Sequence, residues 1–216
     1  MQSQSPHRLF RLRRSLLLSL ALAALAPAAA LAAGGTLTVN GARFDRQITL
    51  AGTPLQLNGA GVRYKFVVKV YAAGLYLKAP AATPEAAFSQ SGPKRMQLIF
   101  LRAIGGDQFG RLFTTSMEKN VTRDEFVRAI PGTLKIADMF AEKKSMVAGD
   151  VLWIDDIPGQ GTVMSINSKP IGEPITEPGF FNILTKIWLG PDPADERLKK
   201  ILLGQSTEEA GSSAPQ

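Results

Sequence analysis

An arginine and a tyrosine in the first third of the chain are well suited to hold an anion. Arg63 and Tyr71 fall in a segment, 62–71, whose residues alternate as in a β-strand. An unbroken strand would place both side chains on one face, because every second residue of a strand faces the same side. A guanidinium can hold a carboxylate through two hydrogen bonds, and a phenol adds another donor. The alternative is a solvated sheet face that also carries Lys65 and Lys69.

Other catalytic chemistries are excluded by composition. The chain has one histidine, His7, and no cysteine, so neither residue occurs from position 33 onward. That part of the chain cannot form a Ser-His-Asp triad, a thiolate nucleophile or a histidine-ligated metal or haem site. We therefore predict no metal and no cofactor. Asp155 and Asp156 are adjacent on a predicted strand, so they should face opposite sides and serve at a hairpin edge rather than as a paired acid and base.

The first 32 residues have the three zones of a secretory signal peptide. A basic stretch without acids precedes an apolar run, and the run ends in Ala30-Leu31-Ala32, a signal-peptidase pattern. We predict cleavage after Ala32 and export by the Sec route to the periplasm or the medium. An uncleaved anchor is the alternative, although Pro27 breaks the apolar run. The pair at 13–14 makes a twin-arginine signal a minor alternative.

The rest of the chain has the composition of one ordinary domain. The whole chain has 25 basic and 18 acidic residues, and the leader removes four arginines and no acid, which leaves 21 against 18, a net charge of +3. Such a balance argues against nucleic-acid binding, which needs a concentrated basic surface. No later apolar run is long enough to cross a bilayer. We predict a domain at 33–204 and a disordered tail at 205–216, with no indication of oligomeric state.

The order of predicted elements indicates an α+β fold, because strands come first, helices cluster in the middle and a hairpin follows. A Thr-x-x-Glu capping box at Thr122 opens one helix, which we expect Pro131-Gly132 to interrupt. The predicted strands are 36–39, 42–45, 62–71, then 75–78 after a bend at 72–74, and 95–102, 151–154 and 162–166. The predicted helices are 83–90, 107–120, 122–130, 134–140, 180–188 and 194–203.

Aromatic residues on the predicted helices have two interpretations. Phe109, Leu112, Phe113 and Met117 recur at helical spacing, so they form either a plain core stripe or one wall of a ligand tunnel. The two tryptophans, at 153 and 188, are interpreted as packing anchors.

Several of these segments together resemble the chalcone isomerase-like family, in its bacterial, exported branch. The strongest piece is 61–77, where Gly-Val-Arg is followed by Lys-Phe-Val-Val-Lys-Val-Tyr-Ala-Ala-Gly-Leu-Tyr-Leu, and the likeness extends over residues 36–204. Supporting pieces are Gly149-Asp150, the Pro-Gly-x-Gly-Thr turn at 158–162, Trp188-Leu189-Gly190 and Leu202-Leu203-Gly204.

The resemblance implies a fold and a set of site residues. The fold would be a large antiparallel sheet covered on one side by helices, with a ligand cleft between the layers. Arg63 would take the place of the arginine that binds an anionic oxygen in the plant enzymes. Tyr71 would stand where fatty-acid-binding relatives have a tyrosine that helps to hold a carboxylate. Phe109 and Ser116 would replace a tyrosine and an asparagine of the plant enzymes, which argues against plant-type chalcone cyclisation.

Three functions remain open at this point. The first is a binding protein for a small amphipathic acid such as a fatty acid, with a site formed by Arg63, Tyr71, Phe109, Phe113 and Ser116. The second is an isomerase or intramolecular lyase, with Arg63 as the electrophile and Tyr71 or an ordered water as the proton donor. The third is a non-catalytic protein that binds a partner in the cell envelope.

Overall fold

The structure, a computed structural model, describes residues 35–206. The predicted signal peptide, 1–32, and all but the first two residues of the predicted tail, 205–216, lie outside this range. Gln205 bonds to Lys200 through its backbone and to the Ala82 carbonyl through its side chain.

Eleven strands and five helices make up the described part of the chain, in α+β order. The strands are β1 Thr36–Val39, β2 Ala42–Asp45, β3 Gln47–Leu50, β4 Thr53–Lys65, β5 Val68–Leu77, β6 Lys94–Phe100, β7 Ile104–Gly105, β8 Ser145–Met146, β9 Val151–Ile157, β10 Gly161–Ile166 and β11 Lys169–Pro170. The helices are α1 Pro84–Phe88, α2 Gly106–Glu118, α3 Arg123–Lys143, α4 Phe180–Leu189 and α5 Glu196–Leu202.

A seven-stranded antiparallel sheet organises the fold, in the order β11-β10-β9-β6-β5-β4-β3. One face carries the larger core, in which side chains from the helices pack on alternate residues of the sheet. The β1–β2 hairpin packs on part of the other face and encloses a smaller core around Phe44 and Tyr76. The predicted large antiparallel sheet with a helix layer is confirmed. We call its two sides the helix face and the hairpin face.

Short-range signals in the sequence account for one turn and two helix starts. Asn40 and Gly41 take positive φ angles of 48° and 83° in the β1–β2 turn, as a tight hairpin requires. Thr83 caps α1 ahead of Pro84. Thr122 and Glu125 form the predicted capping box of α3.

The prediction of one continuous strand across 62–71 is wrong. The chain reverses at Phe66 and Val67, so Arg63 lies near the end of β4 and Tyr71 near the start of β5. Alternating apolar residues continue through this turn without the usual glycine, asparagine or proline, and this concealed the turn in the sequence. The two residues nevertheless share a face, because they are direct cross-strand partners.

The register of β4 against β5 shifts twice, and both shifts affect the helix face. Asn58 is an extra residue in β4, between the pairs formed by Leu57 and Gly59. Val70 is an extra residue in β5, opposite the step that follows Arg63. The predicted bend at 72–74 is absent, because β5 runs unbroken through it. Bulges rather than a bend therefore set which side chains face the helices.

Helix α3 continues through Pro131, against the predicted interruption and the predicted separate helix at 134–140. Its buried face includes Gly132 and Ile136, while Leu134 points outward. A Cβ on Gly132 would lie 2.5 Å from the Phe180 ring, so the helix packs very closely on α4. Tertiary packing outweighs the roughly 3 kcal/mol that an interior proline costs.

Candidate ligand-binding site

All five residues predicted to bind a ligand line one small cavity between the sheet and the helices. Its volume is about 20 Å³, which is enough for a single water molecule. The sheet contributes Arg63, Val70 and Tyr71, and the helix α2 contributes Phe109, Leu112, Phe113 and Ser116. The structure thus brings the predicted residues together, in a space far smaller than the roughly 300–1,000 Å³ of most ligand pockets.

Arg63 brings an unsatisfied charged group to this cavity. The side chain is half-buried, and its Nε is buried with no hydrogen-bond partner among residues 35–206. Its guanidinium carbon lies 5.6 Å from the centre of the Tyr71 ring, within cation–π range. A buried donor without a partner is costly, so this group favours the arrival of an acceptor such as a water or a carboxylate oxygen.

Tyr71 brings a second donor. Its hydroxyl accepts a hydrogen bond of 2.9 Å from the indole Nε1 of Trp188, which leaves the hydroxyl proton free to donate. Burial raises the pKa of Tyr71 to about 12, although the charge of Arg63 and the Trp188 bond act to lower it and Asp195 acts to raise it. The phenol therefore stays protonated, and therefore a donor, at neutral pH.

Packed aromatic rings form the wall of the cavity on the α2 side. The Phe109 ring meets those of Tyr71, Phe113 and Phe140 at centroid distances of 6.4, 4.6 and 4.9 Å. The Phe113 ring in turn lies 5.6 Å from that of Trp188. The α2 stripe is therefore both core and cavity wall, so its two interpretations describe the same residues.

An open groove of about 250 Å³ adjoins the cavity. The two spaces share Arg63, Val70, Ile104 and Leu112 as lining residues. The groove adds two cationic side chains, Lys65 and Arg102, and its described lining contains no carboxylate. The groove thus lies beside the cavity, and its lining combines positive charge with apolar side chains.

A second arginine–tyrosine pair, whose tyrosine also lies on β5, occupies the hairpin face. Tyr76 lies directly opposite Arg95 of β6. The Arg95 guanidinium donates two hydrogen bonds of 2.6 Å to Asp155 and stacks over Trp153 at 4.4 Å. Asp156 instead pairs with Lys94, so the two aspartates face opposite sides as predicted. The predicted hairpin-edge role is wrong, because β9 lies inside the sheet and Asp155 is buried.

Residues 36–204 match the family model described as chalcone isomerase-like. The chain belongs to the chalcone isomerase-like family. The structure is also similar to the crystal structure of a fatty-acid-binding protein from Arabidopsis thaliana, with a TM-score of 0.60 and 12% sequence identity over 79% of this chain and 97% of that chain. At this identity the likeness shows the shared fold. No curated protein sequence matches this chain.

Within the chalcone isomerase-like family, the sequence resemblance assigned Phe109 and Ser116 to two polar positions of the plant enzymes. Both line the cavity beside Arg63 and Tyr71. Phe109 presents an apolar ring edge where a phenol would present a hydroxyl. Tyr71 also lines the cavity, and burial raises its pKa to about 12, so it does not exchange its proton readily near neutral pH.

Several residues of the site could not be identified from sequence. Trp188 was interpreted as a packing anchor, and its role as the donor to Tyr71 was missed. Ile187 and Ala194 line the cavity from elsewhere in the chain. Lys65 was considered only as part of a solvated face, and Arg102 carried no signal at all. These contacts join segments far apart in sequence, which local periodicity cannot relate.

Proposed function

We propose that this protein is an exported binding protein for a small amphipathic carboxylate such as a fatty acid. One carboxylate oxygen occupies the water-sized cavity and accepts hydrogen bonds from Arg63 and Tyr71. The hydrocarbon chain lies in the adjoining groove against Val70, Ile104 and Leu112. Export rests on the three-zone leader at 1–32, and the periplasm is the destination that this leader favours.

The observation that carries this proposal is the presence of two free donors, one of them cationic, in a cavity that adjoins a largely apolar groove. Arg63 Nε has no partner within the described chain, and the Tyr71 hydroxyl retains its proton. A carboxylate satisfies both groups and neutralises the guanidinium charge. The similar Arabidopsis structure is that of a fatty-acid-binding protein, which supports this ligand class.

Binding without turnover is favoured over isomerase or lyase activity. Proton transfer near neutral pH needs a group whose pKa lies close to that pH. Burial raises the pKa of Tyr71 to about 12, far from neutral pH. The described lining of the cavity therefore supplies hydrogen-bond donors and charge, which suit a binding site.

A fluorescence titration of delipidated protein tests the proposal. The chain has two tryptophans, so in a Trp153→Phe background the emission comes from Trp188, which contacts Tyr71. Dodecanoic acid should change this emission, and Arg63→Met should weaken its binding roughly 10- to 100-fold, because charge-assisted hydrogen bonds are lost. Dodecanol, which lacks the carboxylate, should bind both forms equally.

Arg43→Met serves as the matched control, because Arg43 is an exposed arginine on the β1–β2 hairpin, away from the cavity. This variant should bind dodecanoic acid as the parent does. The free energy of unfolding of Arg63→Met should lie within about 1 kcal/mol of that of the parent, since replacing an unpaired polar group by an apolar one of similar size is close to neutral. Unchanged affinity in folded Arg63→Met would refute the proposed role of Arg63.

A further inference from the structure

The turn between β4 and β5 exposes two adjacent apolar side chains. Phe66 is 93% exposed and Val67 is 90% exposed, more than any other large apolar side chain in the described chain. Val68 beside them is 38% exposed. Water-exposed aromatic and branched residues at the tip of a hairpin gain nothing for the stability of the fold.

The backbone at this tip is unfavourable as well. Phe66 has a φ of 57°, in the left-handed region that suits glycine or asparagine and disfavours a residue with a bulky side chain. An asparagine here would relieve the backbone and remove the exposed ring at once. A position that is poor for folding in both respects indicates a use for the ring outside the fold.

Positive charge surrounds the tip. Lys65 and Lys69 flank the turn, and Lys69 donates a hydrogen bond to the Asn40 side chain, which holds it beside the β1–β2 turn. Arg102 lies on the groove below, together with Phe66 itself. An apolar tip with three cations beside it complements a surface that is anionic outside and apolar beneath. One described carboxylate, that of Asp195, reaches this end of β4, where it accepts a bond from the Tyr64 backbone N–H.

We infer that this tip docks on an anionic phospholipid bilayer, with Phe66 and Val67 entering the headgroup region and Lys65 and Arg102 facing the lipid phosphates. The tip is convex and small, whereas a stable protein–protein interface buries roughly 1,200–2,000 Å² and needs a complementary surface. A bilayer accommodates such a convex group without a preformed pocket.

Docking would place the groove opening against the lipid surface, because Lys65, Phe66 and Val68 line that groove. An amphipathic acid could then move between the bilayer and the Arg63 cavity with little exposure of its chain to water. This link to ligand transfer rests on the proposed function. The docking itself rests on the exposed tip and its charges alone.

Co-sedimentation of the purified protein with lipid vesicles tests the inference. Vesicles of phosphatidylcholine and phosphatidylglycerol should bind the protein, and those of phosphatidylcholine alone should bind it at least roughly tenfold more weakly. Phe66→Asn should lose roughly tenfold or more of the binding to the anionic vesicles. Its melting temperature should equal or exceed that of the parent, which separates lost docking from lost folding.

Leu134→Asn is the matched control, because Leu134 is 61% exposed on α3, away from the tip. This variant should bind the anionic vesicles as the parent does. Equal vesicle binding by Phe66→Asn and the parent would overturn the inference. A second result would also overturn it: the parent does not bind anionic vesicles but forms a dimer, and Phe66→Asn abolishes that dimer. The tip would then contact a second copy of the chain.

The two proposals can fail separately. Val67→Asn removes an exposed apolar side chain of the tip that does not line the groove, so it should weaken vesicle binding and retain affinity for dodecanoic acid. Arg63→Met should retain most of its binding to anionic vesicles. Loss of acid binding alone in Arg63→Met supports the cavity proposal, and loss of vesicle binding alone in Val67→Asn supports the docking inference.

Discussion

The two arginine–tyrosine pairs, whose tyrosines both lie on β5, consist of the same residue types but differ in which member has a hydrogen-bond partner. On the hairpin face, Arg95 is fully engaged by Asp155, and the hydroxyl of Tyr76 is buried without a partner among the described residues. On the helix face, the Tyr71 hydroxyl receives the Trp188 bond, and Arg63 Nε is without a partner there.

This difference teaches how to separate a structural arginine from a binding one. Both are cross-strand neighbours of a tyrosine on the same strand, so residue type and sheet position do not distinguish them. What distinguishes them is a carboxylate already in place. Arg95 has an internal anion and stabilises the sheet, whereas Arg63 adjoins a cavity and an open groove, where an external anion can take the equivalent role.

The largest expected effect comes from breaking the internal pair. Asp155→Ala should lower the free energy of unfolding by about 3–5 kcal/mol, because it leaves the buried Arg95 guanidinium without its anion. Urea denaturation measures this loss. The double variant Arg95→Met with Asp155→Leu should stay close to the parent, since it replaces both charges by apolar groups. If Asp155→Ala lowered the free energy of unfolding by less than about 1 kcal/mol, Arg95 would not depend on its internal carboxylate, and the contrast with Arg63 would fail.

Alkaline unfolding gives the next largest effect. Burial raises the pKa of Tyr71 to about 12, above the value near 10 that the unfolded chain has. Between these values the folded state keeps a proton that the unfolded state has lost, so stability falls as pH rises. The unfolding constant should rise about tenfold more per pH unit in the parent than in Tyr71→Phe. Parallel curves for the two proteins from pH ~9 to ~12 would contradict this shift.

The two tyrosine hydroxyls should differ more modestly at neutral pH. Tyr71→Phe removes the acceptor of the buried Trp188 indole and should cost about 1–3 kcal/mol of unfolding free energy. Tyr76→Phe removes a hydroxyl that has no partner in the described structure, so stability should stay level or rise. Thermal melts of the two variants provide the comparison. Equal losses of unfolding free energy in the two variants would show that the Tyr71 and Tyr76 hydroxyls contribute equally to stability.

How far the sequence predicted this molecule depended on the range of each interaction. The capping box at Thr122 and Glu125 needs residues three apart, and it was confirmed. Pro131 was expected to end a helix, but its context is set by Gly132 packing on Phe180, far along the chain. The bidentate bond between Arg95 and Asp155 joins different strands and left no pattern in either segment.

The candidate site shows the same limit in a different form. Arg63 and Tyr71 were predicted to share a face on one strand, yet they share it across two strands. The resemblance to a known family supplied Phe109 and Ser116, because it carries tertiary information that periodicity lacks. The size of the cavity, the Trp188 bond and the adjoining groove depend on packed side chains and could not be predicted from spacing.

The extra residue at Asn58 has a consequence for which side chains face inward. Before it, Leu55 and Leu57 face the hairpin side, and after it Ala60 and Val62 do, so the phase of β4 inverts at this point. Asn58 is fixed by bonds to Ala81 and Leu202. If Asn58 were paired as an ordinary strand residue, without the bulge, every later residue of β4 would change face and Arg63 would point to the hairpin side. The bulge therefore keeps the guanidinium on the side of the sheet where the cavity lies.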